Sequence, residues 1–144
     1  MGKTRKTRAC EFRPLKDSAT GQSLNVYTLY GKETAVPVSM PNTIVLKGKH
    51  YQIRYHTKIF ASRRVSDRLA GVIVFAHQTI ILEPELGLPR MKHTLYHECA
   101  HAYFRELQES DSRLNRITNS QEEAICDLLG SAVQDLVTNN PSLK

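Results

Sequence analysis

A chain of 144 residues with 40 % apolar and 24 % charged residues has the balance of one ordinary folded domain rather than a disordered or fibrous protein. No stretch approaches the roughly 18 consecutive apolar residues of a membrane helix, and no apolar run follows the N-terminal charges as a secretory signal requires. The expectation is a cytoplasmic protein without membrane contact.

The formal charge of +6 is uneven, because residues 1–16 hold Lys3, Arg5, Lys6, Arg8, Arg13 and Lys16 against Glu11 alone, which leaves only +1 for the rest. Residues 1–23, polar and interrupted by Pro14 and Gly21, read as a basic, flexible arm, and residues 24–144 as a single domain. A solvated terminus is the plain reading of the arm. Weak contact of residues 1–16 with nucleic acid or an acidic partner is the functional one. Cys10, Cys99 and Cys126 are odd in number and lack CxxC spacing, so neither a disulfide framework nor a structural zinc knot is expected.

Strand-like runs follow at 24–30, 43–46 and 50–56. The last alternates Tyr51, Ile53 and Tyr55 with Gln52, Arg54 and His56, the period of a half-buried strand, and Lys47-Gly48-Lys49 before it reads as a hairpin turn. Residues 61–70 are basic and polar, enough for one or two helical turns. A second β pair is expected at 72–75 and 79–82, joined through Ala76-His77-Gln78. Helical patterns then cover about 89–108 and 120–138, the second ended by Asn139-Asn140-Pro141. Strands followed by two long helices make the class α+β, with a mostly antiparallel sheet leading into the helices.

The chemistry sits in Thr94-Leu-Tyr-His-Glu-Cys-Ala-His-Ala102. His97 and His101 are four apart, so on a helix they share one face about one turn from each other and can grip one ion. Glu98 lies about 100° around the helix, beside such an ion, where a carboxylate accepts a proton from a water on the metal. Leu95, Cys99 and Ala102 project to the opposite side, with Tyr96 and Tyr103 flanking.

A catalytic zinc needs three protein ligands and an open position. No histidine follows His101, so the third ligand is a downstream carboxylate or one of His50, His56, His77 and His93. In the second helix Ala124, Ile125, Leu128, Leu129, Ala132, Val133 and Leu136 form an apolar stripe, and Glu123 and Asp127 share the face opposite. That pair offers one metal ligand and one acceptor for a histidine N–H. Ser120 begins a capping box that would occupy Glu123, but Thr118 begins an earlier one with Gln121 and leaves Glu123 free. Glu122 is the alternative ligand, at the edge of the stripe with Cys126 and Leu129 as helical neighbours.

Tyr96-His-Glu-Cys-Ala-His-Ala102 resembles the active helix of zincin metallopeptidases, and Glu123-Ala-Ile-Cys-Asp127 resembles the Glu-x-x-x-Asp helix of thermolysin-like gluzincins. The run from Thr43 onward is similar to small HExxH proteins encoded by phages and prophages, and to ImmA/IrrE-type peptidases. The resemblance implies a minimal zincin-like fold. It also implies one zinc on His97, His101 and Glu123, Glu98 as general base, and Asp127 holding a histidine. It brings no second histidine or tyrosine for the oxyanion; His93, Tyr96, Tyr103 and His77 are the residues available for oxyanion or substrate contact. SprT-like DNA-linked proteases match the basic arm but use a histidine as third ligand.

The expected function is therefore a zinc metallopeptidase that hydrolyses peptide bonds in a peptide or protein substrate. The substrate is expected to lie extended along an edge strand, for which Thr79–Leu82 is the candidate. Two rivals stand beside it: a catalytically silent, zinc-stabilised phage-type protein that binds a host protein or nucleic acid, and a protease tethered to nucleic acid by the arm.

Overall fold

The computed structural model describes residues 13–14, 29–60 and 68–143. The basic residues 1–12, the expected strand at 24–28 and residues 61–67 lie outside them. The fold is α+β, a four-stranded mixed sheet followed by two long helices. Short strands β1 (Arg13–Pro14), β2 (Leu29–Tyr30), β5 (Ile59–Phe60) and β6 (Arg68–Leu69) form a small antiparallel sheet in the order β1-β2-β5-β6. Arg68 and Leu69 are thus strand, not part of a helical turn.

The main sheet holds β3 (Thr43–Leu46), β4 (Lys49–Tyr55), β7 (Gly71–Val74) and β8 (Thr79–Leu82) in the order β3-β4-β8-β7. Lys47 and Gly48, both at positive φ (52° and 78°), close the β3–β4 hairpin as a two-residue loop whose twist suits the strands it joins. On β4, Tyr51, Ile53 and Tyr55 are buried while Gln52 and Arg54 are exposed, and Arg54 reaches both Glu33 carboxylate oxygens at 3.1 Å. His56, expected on the polar face, is instead buried, its Nδ1 3.1 Å from the Gly31 carbonyl oxygen.

The expected β7–β8 hairpin forms, turning through Phe75–His77 with Gln78 left-handed. One pairing was not visible locally: β8 runs parallel to β4, with Ile53 beside Ile80 and Tyr55 beside Leu82. Hence β8 lies between β4 and β7, and all four of its residues are buried. The expectation that Thr79–Leu82 forms a substrate-binding edge is therefore corrected. Its buried run belongs to an inner strand, and among the described strands β3 and β7 are the edges.

Helix α1 (Leu88–Ser110) crosses the sheet and sets Met91, Leu95 and Ala102 against Tyr51, Ile53, Tyr55, Ile80 and Leu82. Pro89 is accommodated in its first turn. Helix α2 (Asn119–Asn139) starts from the Thr118–Gln121 capping box, with both reciprocal bonds made, at 2.9 and 3.1 Å. That box leaves the Glu122 and Glu123 side chains free of the cap.

Helix α2 docks on α1 through small residues. Cys126 and Gly130 are its buried positions. A Cβ on Gly130 would stand 3.1 Å from the His97 backbone nitrogen and 3.3 Å from the His93 carbonyl oxygen and the His97 Cα. These are main-chain atoms of α1, so only movement of a helix relieves the contact. Gly130→Val should therefore destabilise the fold by about 1–3 kcal/mol through overpacking, despite leaving a residue of poor helix propensity. Denaturant unfolding measures this, and an unchanged midpoint would mean that the helices are not in close contact there.

Candidate metal centre

The contact at Gly130 places the carboxylates of the first turns of α2 over the histidines of α1. His97 Nε2 and His101 Nε2 are 3.2 Å apart. Glu123 straddles them, with Oε1 3.2 Å from His97 Nε2 and Oε2 2.9 Å from His101 Nε2. Glu123 thus meets each imidazole with a separate carboxylate oxygen while the two Nε2 atoms converge on each other.

The 3.2 Å between the two nitrogens is close to one edge of a tetrahedral zinc site, and one oxygen of Glu123 lies within 4.8 Å of both. Ligand distances of about 2.0–2.1 Å put neighbouring donors about 3.3 Å apart. Two imidazole nitrogens and a carboxylate oxygen are also a donor set that suits zinc. The residues present therefore fit the ion, with His97, His101 and Glu123 as the group that would hold it. The two histidine side chains are largely buried, and that of Glu123 is 63 % exposed.

Glu98 is buried at 8 % exposure and lines the same cleft as the triad. Burial pushes its carboxyl up to about 7; the charge of His101 opposes the rise and that of Glu123 adds to it. A cation on the triad would draw it back down, favouring the ionised form.

The surroundings divide the supporting roles differently from the sequence reading. His101 Nδ1 lies 2.6 Å from Glu122 Oε2. A proton on Nδ1 donated to that carboxylate leaves the Nε2 lone pair directed at the triad. Glu122, weighed from sequence as a rival ligand, is thus the acceptor beside His101 Nδ1, and with His101 and Cys126 it also forms a second cluster of possible ligands. Asp127, expected to hold a histidine, has Oδ1 3.2 Å from His93 Nε2. It is 3.6 Å from His97 Nδ1, beyond hydrogen-bond reach. Its direct partner is therefore His93 rather than either metal-facing histidine. Cys126, fully buried beside Glu122, and Cys99 both have thiols pushed up to about 12 by burial, so they stay protonated and act as small apolar groups.

A cleft of about 780 Å³ opens over the triad, bounded by β7 residues Gly71, Val72 and Ile73, by Phe75, and by Arg90, His93 and Thr94 of α1. Gly71 lets the edge strand lie close over the helix: a Cβ there would meet Thr94 Cγ2 at 2.7 Å and Leu82 Cδ2 at 2.9 Å. Of the residues expected to contact oxyanion or substrate, only His93 borders this cleft. Tyr96 and Tyr103 line an apolar groove elsewhere on α1, and His77 is not among the cleft residues. Tyr96 stands one residue before His97 and Tyr103 two after His101, offsets that turn a helical side chain off the histidine face.

Compared with known proteins, the chain matches no protein-family model, no curated protein and no solved structure.

Two substitutions separate ligand from support. Glu123→Ala should abolish tight zinc binding, whereas Glu122→Gln should weaken it about 10–100-fold, measured by competition with a coloured chelator. Asp127→Asn should cost less than Glu122→Gln, since its contact with His97 is longer. Full zinc retention in Glu123→Ala would place the third ligand elsewhere.

Proposed function

We propose that this chain is a zinc-dependent metallopeptidase with a minimal zincin-like fold, acting on a peptide segment laid along β7. The observation that carries this reading is the convergence of His97, His101 and Glu123 with the buried Glu98 beside them in one cleft. A purely structural metal site closes all its coordination positions with protein ligands. Here three donors meet at the floor of an open cleft, and Glu98 serves no ligand role.

Zinc, when bound, lowers the pKa of a water toward about 7 and polarises a carbonyl oxygen. The chain's own residues supply the remaining elements. Glu98 accepts the proton of the attacking water on its carboxylate. Its burial shields that transfer from bulk solvent, where a proton acceptor would be levelled. Glu122 keeps the His101 ring in one orientation and tautomer. Strand β7 offers an edge to an extended substrate, by main-chain hydrogen bonding. Val72, Ile73 and Phe75 supply apolar walls beside it. His93 borders the cleft and is held by Asp127, which makes it the best-placed side chain for a developing oxyanion.

Glu98→Gln is the deciding experiment, because it alters neither a ligand nor the size of the side chain. It should keep the fold and one equivalent of zinc, and it should lower peptide hydrolysis by about 10²–10⁴-fold, the usual worth of general base catalysis. Cleavage of a quenched-fluorescence peptide library reads the rate, and metal analysis reads the zinc. Equal rates in the two proteins would remove Glu98 from the chemistry.

A further inference from the structure

We propose that the chain pairs with a second copy of itself through the outward face of α2. In this pair the two α2 helices run antiparallel about a two-fold axis that passes between Gly130 and Ser131. The proposal does not rest on the metal reading, since it concerns the opposite face of that helix.

An apolar stripe on a helix ordinarily faces the core. Here α2 turns its polar and small residues inward, and its stripe faces solvent. Leu128 is 68 % exposed, Leu136 52 %, Leu129 45 % and Ile125 36 %. With Tyr103 and Val45 alongside, the exposed apolar area is on the order of 600 Å², at the upper end for a monomer's largest patch. It approaches the roughly 800 Å² that each partner contributes to a standard interface.

The arrangement of the stripe points to a second copy rather than to an unrelated partner. Ile125, Leu129, Ala132 and Leu136 are spaced four, three and four apart, the spacing of a helix–helix seam. The series is also symmetric about its midpoint. Ile125 and Leu136 lie equally far from the Gly130–Ser131 bond, and so do Leu129 and Ala132. An isologous interface needs a face that complements itself, so that residue i meets residue j of the partner while j meets i. Antiparallel pairing sets Ile125 against Leu136 of the partner subunit and Leu129 against Ala132 of the partner subunit. A large side chain thus faces a small one in the two central layers, and the helices can approach closely.

Charge is consistent with the same pairing. None of these stripe positions is charged, and the acids Glu123 and Asp127 are engaged with the histidines of α1. Beside the stripe, Leu129 and Val133 also form one wall of an almost wholly apolar groove of about 510 Å³, closed by α1 and β3. The groove extends the apolar surface from the seam toward the sheet. A pair built this way leaves the metal cleft open on the far side of each α2.

Sedimentation velocity from about 1 to 100 µM, a range that brackets a micromolar dimer, tests the proposal. The wild-type protein should sediment at twice its 16.3 kDa mass, and Leu129→Lys should sediment as a monomer with unchanged helical circular dichroism. A second arm reads the register. In a Cys10→Ser, Cys99→Ser background, a mixture of Ile125→Cys and Leu136→Cys chains should form cross-chain disulfides, while each variant alone should form few. A wild-type monomer throughout the range, a dimer indifferent to Leu129→Lys, or disulfides within the Ile125→Cys sample alone would each overturn it.

Discussion

The close approach of α2 to α1 at Gly130 is the constraint on which the rest of the site depends. The two histidines need only one helix, because a four-residue spacing stacks them on one face of α1. Their third partner has to come from elsewhere, and a carboxylate on α2 reaches them only if the helix backbones nearly touch. With main-chain atoms of His93 and His97 only 3.1–3.3 Å from where a Cβ on Gly130 would sit, any side chain there would be crowded. Cys126, small and fully buried, lies on the same side of α2 one turn earlier. The Glu122 and Glu123 side chains then span the remaining gap.

That approach gives α2 two faces with different physical tasks. The inner face is polar where it meets the histidines, and small where it meets the backbone of α1. Neither kind of residue provides much hydrophobic stabilisation, so the domain core is built instead between α1 and the sheet, where Tyr55, Ile80 and Leu82 are almost fully buried. The outer face keeps the large apolar side chains. A helix that binds through polar contacts on one side and displays leucines on the other is partly satisfied within the chain. An antiparallel pair of such helices would bury what the monomer leaves exposed.

The sheet is tied to the site by its edge. Because β8 pairs with β4 in parallel and β7 returns antiparallel to β8, the outermost strand is the one nearest the histidine face of α1. Gly71 allows that strand to settle against Thr94. The apolar wall of the cleft and a strand edge that is unpaired among the described residues are thus consequences of one hairpin placed at the border of the sheet.

Much of this was legible in the sequence because it is local. The alternation on β4, the Lys47-Gly48 turn, the β7–β8 hairpin, the extents of both helices and the Thr118–Gln121 capping box depend on residues within a few positions of each other. The same holds for the facing of His97 and His101 and for the offset of Glu98. What the chain alone left open depends on the relative rotation and spacing of distant elements. The periodicity of α2 shows that one face is apolar and the other acidic, but not that the acidic face turns inward. A single helical position separates Glu122 from Glu123, so which of them meets His101 Nδ1 and which faces the two Nε2 atoms depends on how α2 rolls on α1. The burial of β8 and His56 likewise follows from pairing across some 25 residues of sequence. Local spacing determines which side chains can share a face, and only tertiary packing decides what that face meets.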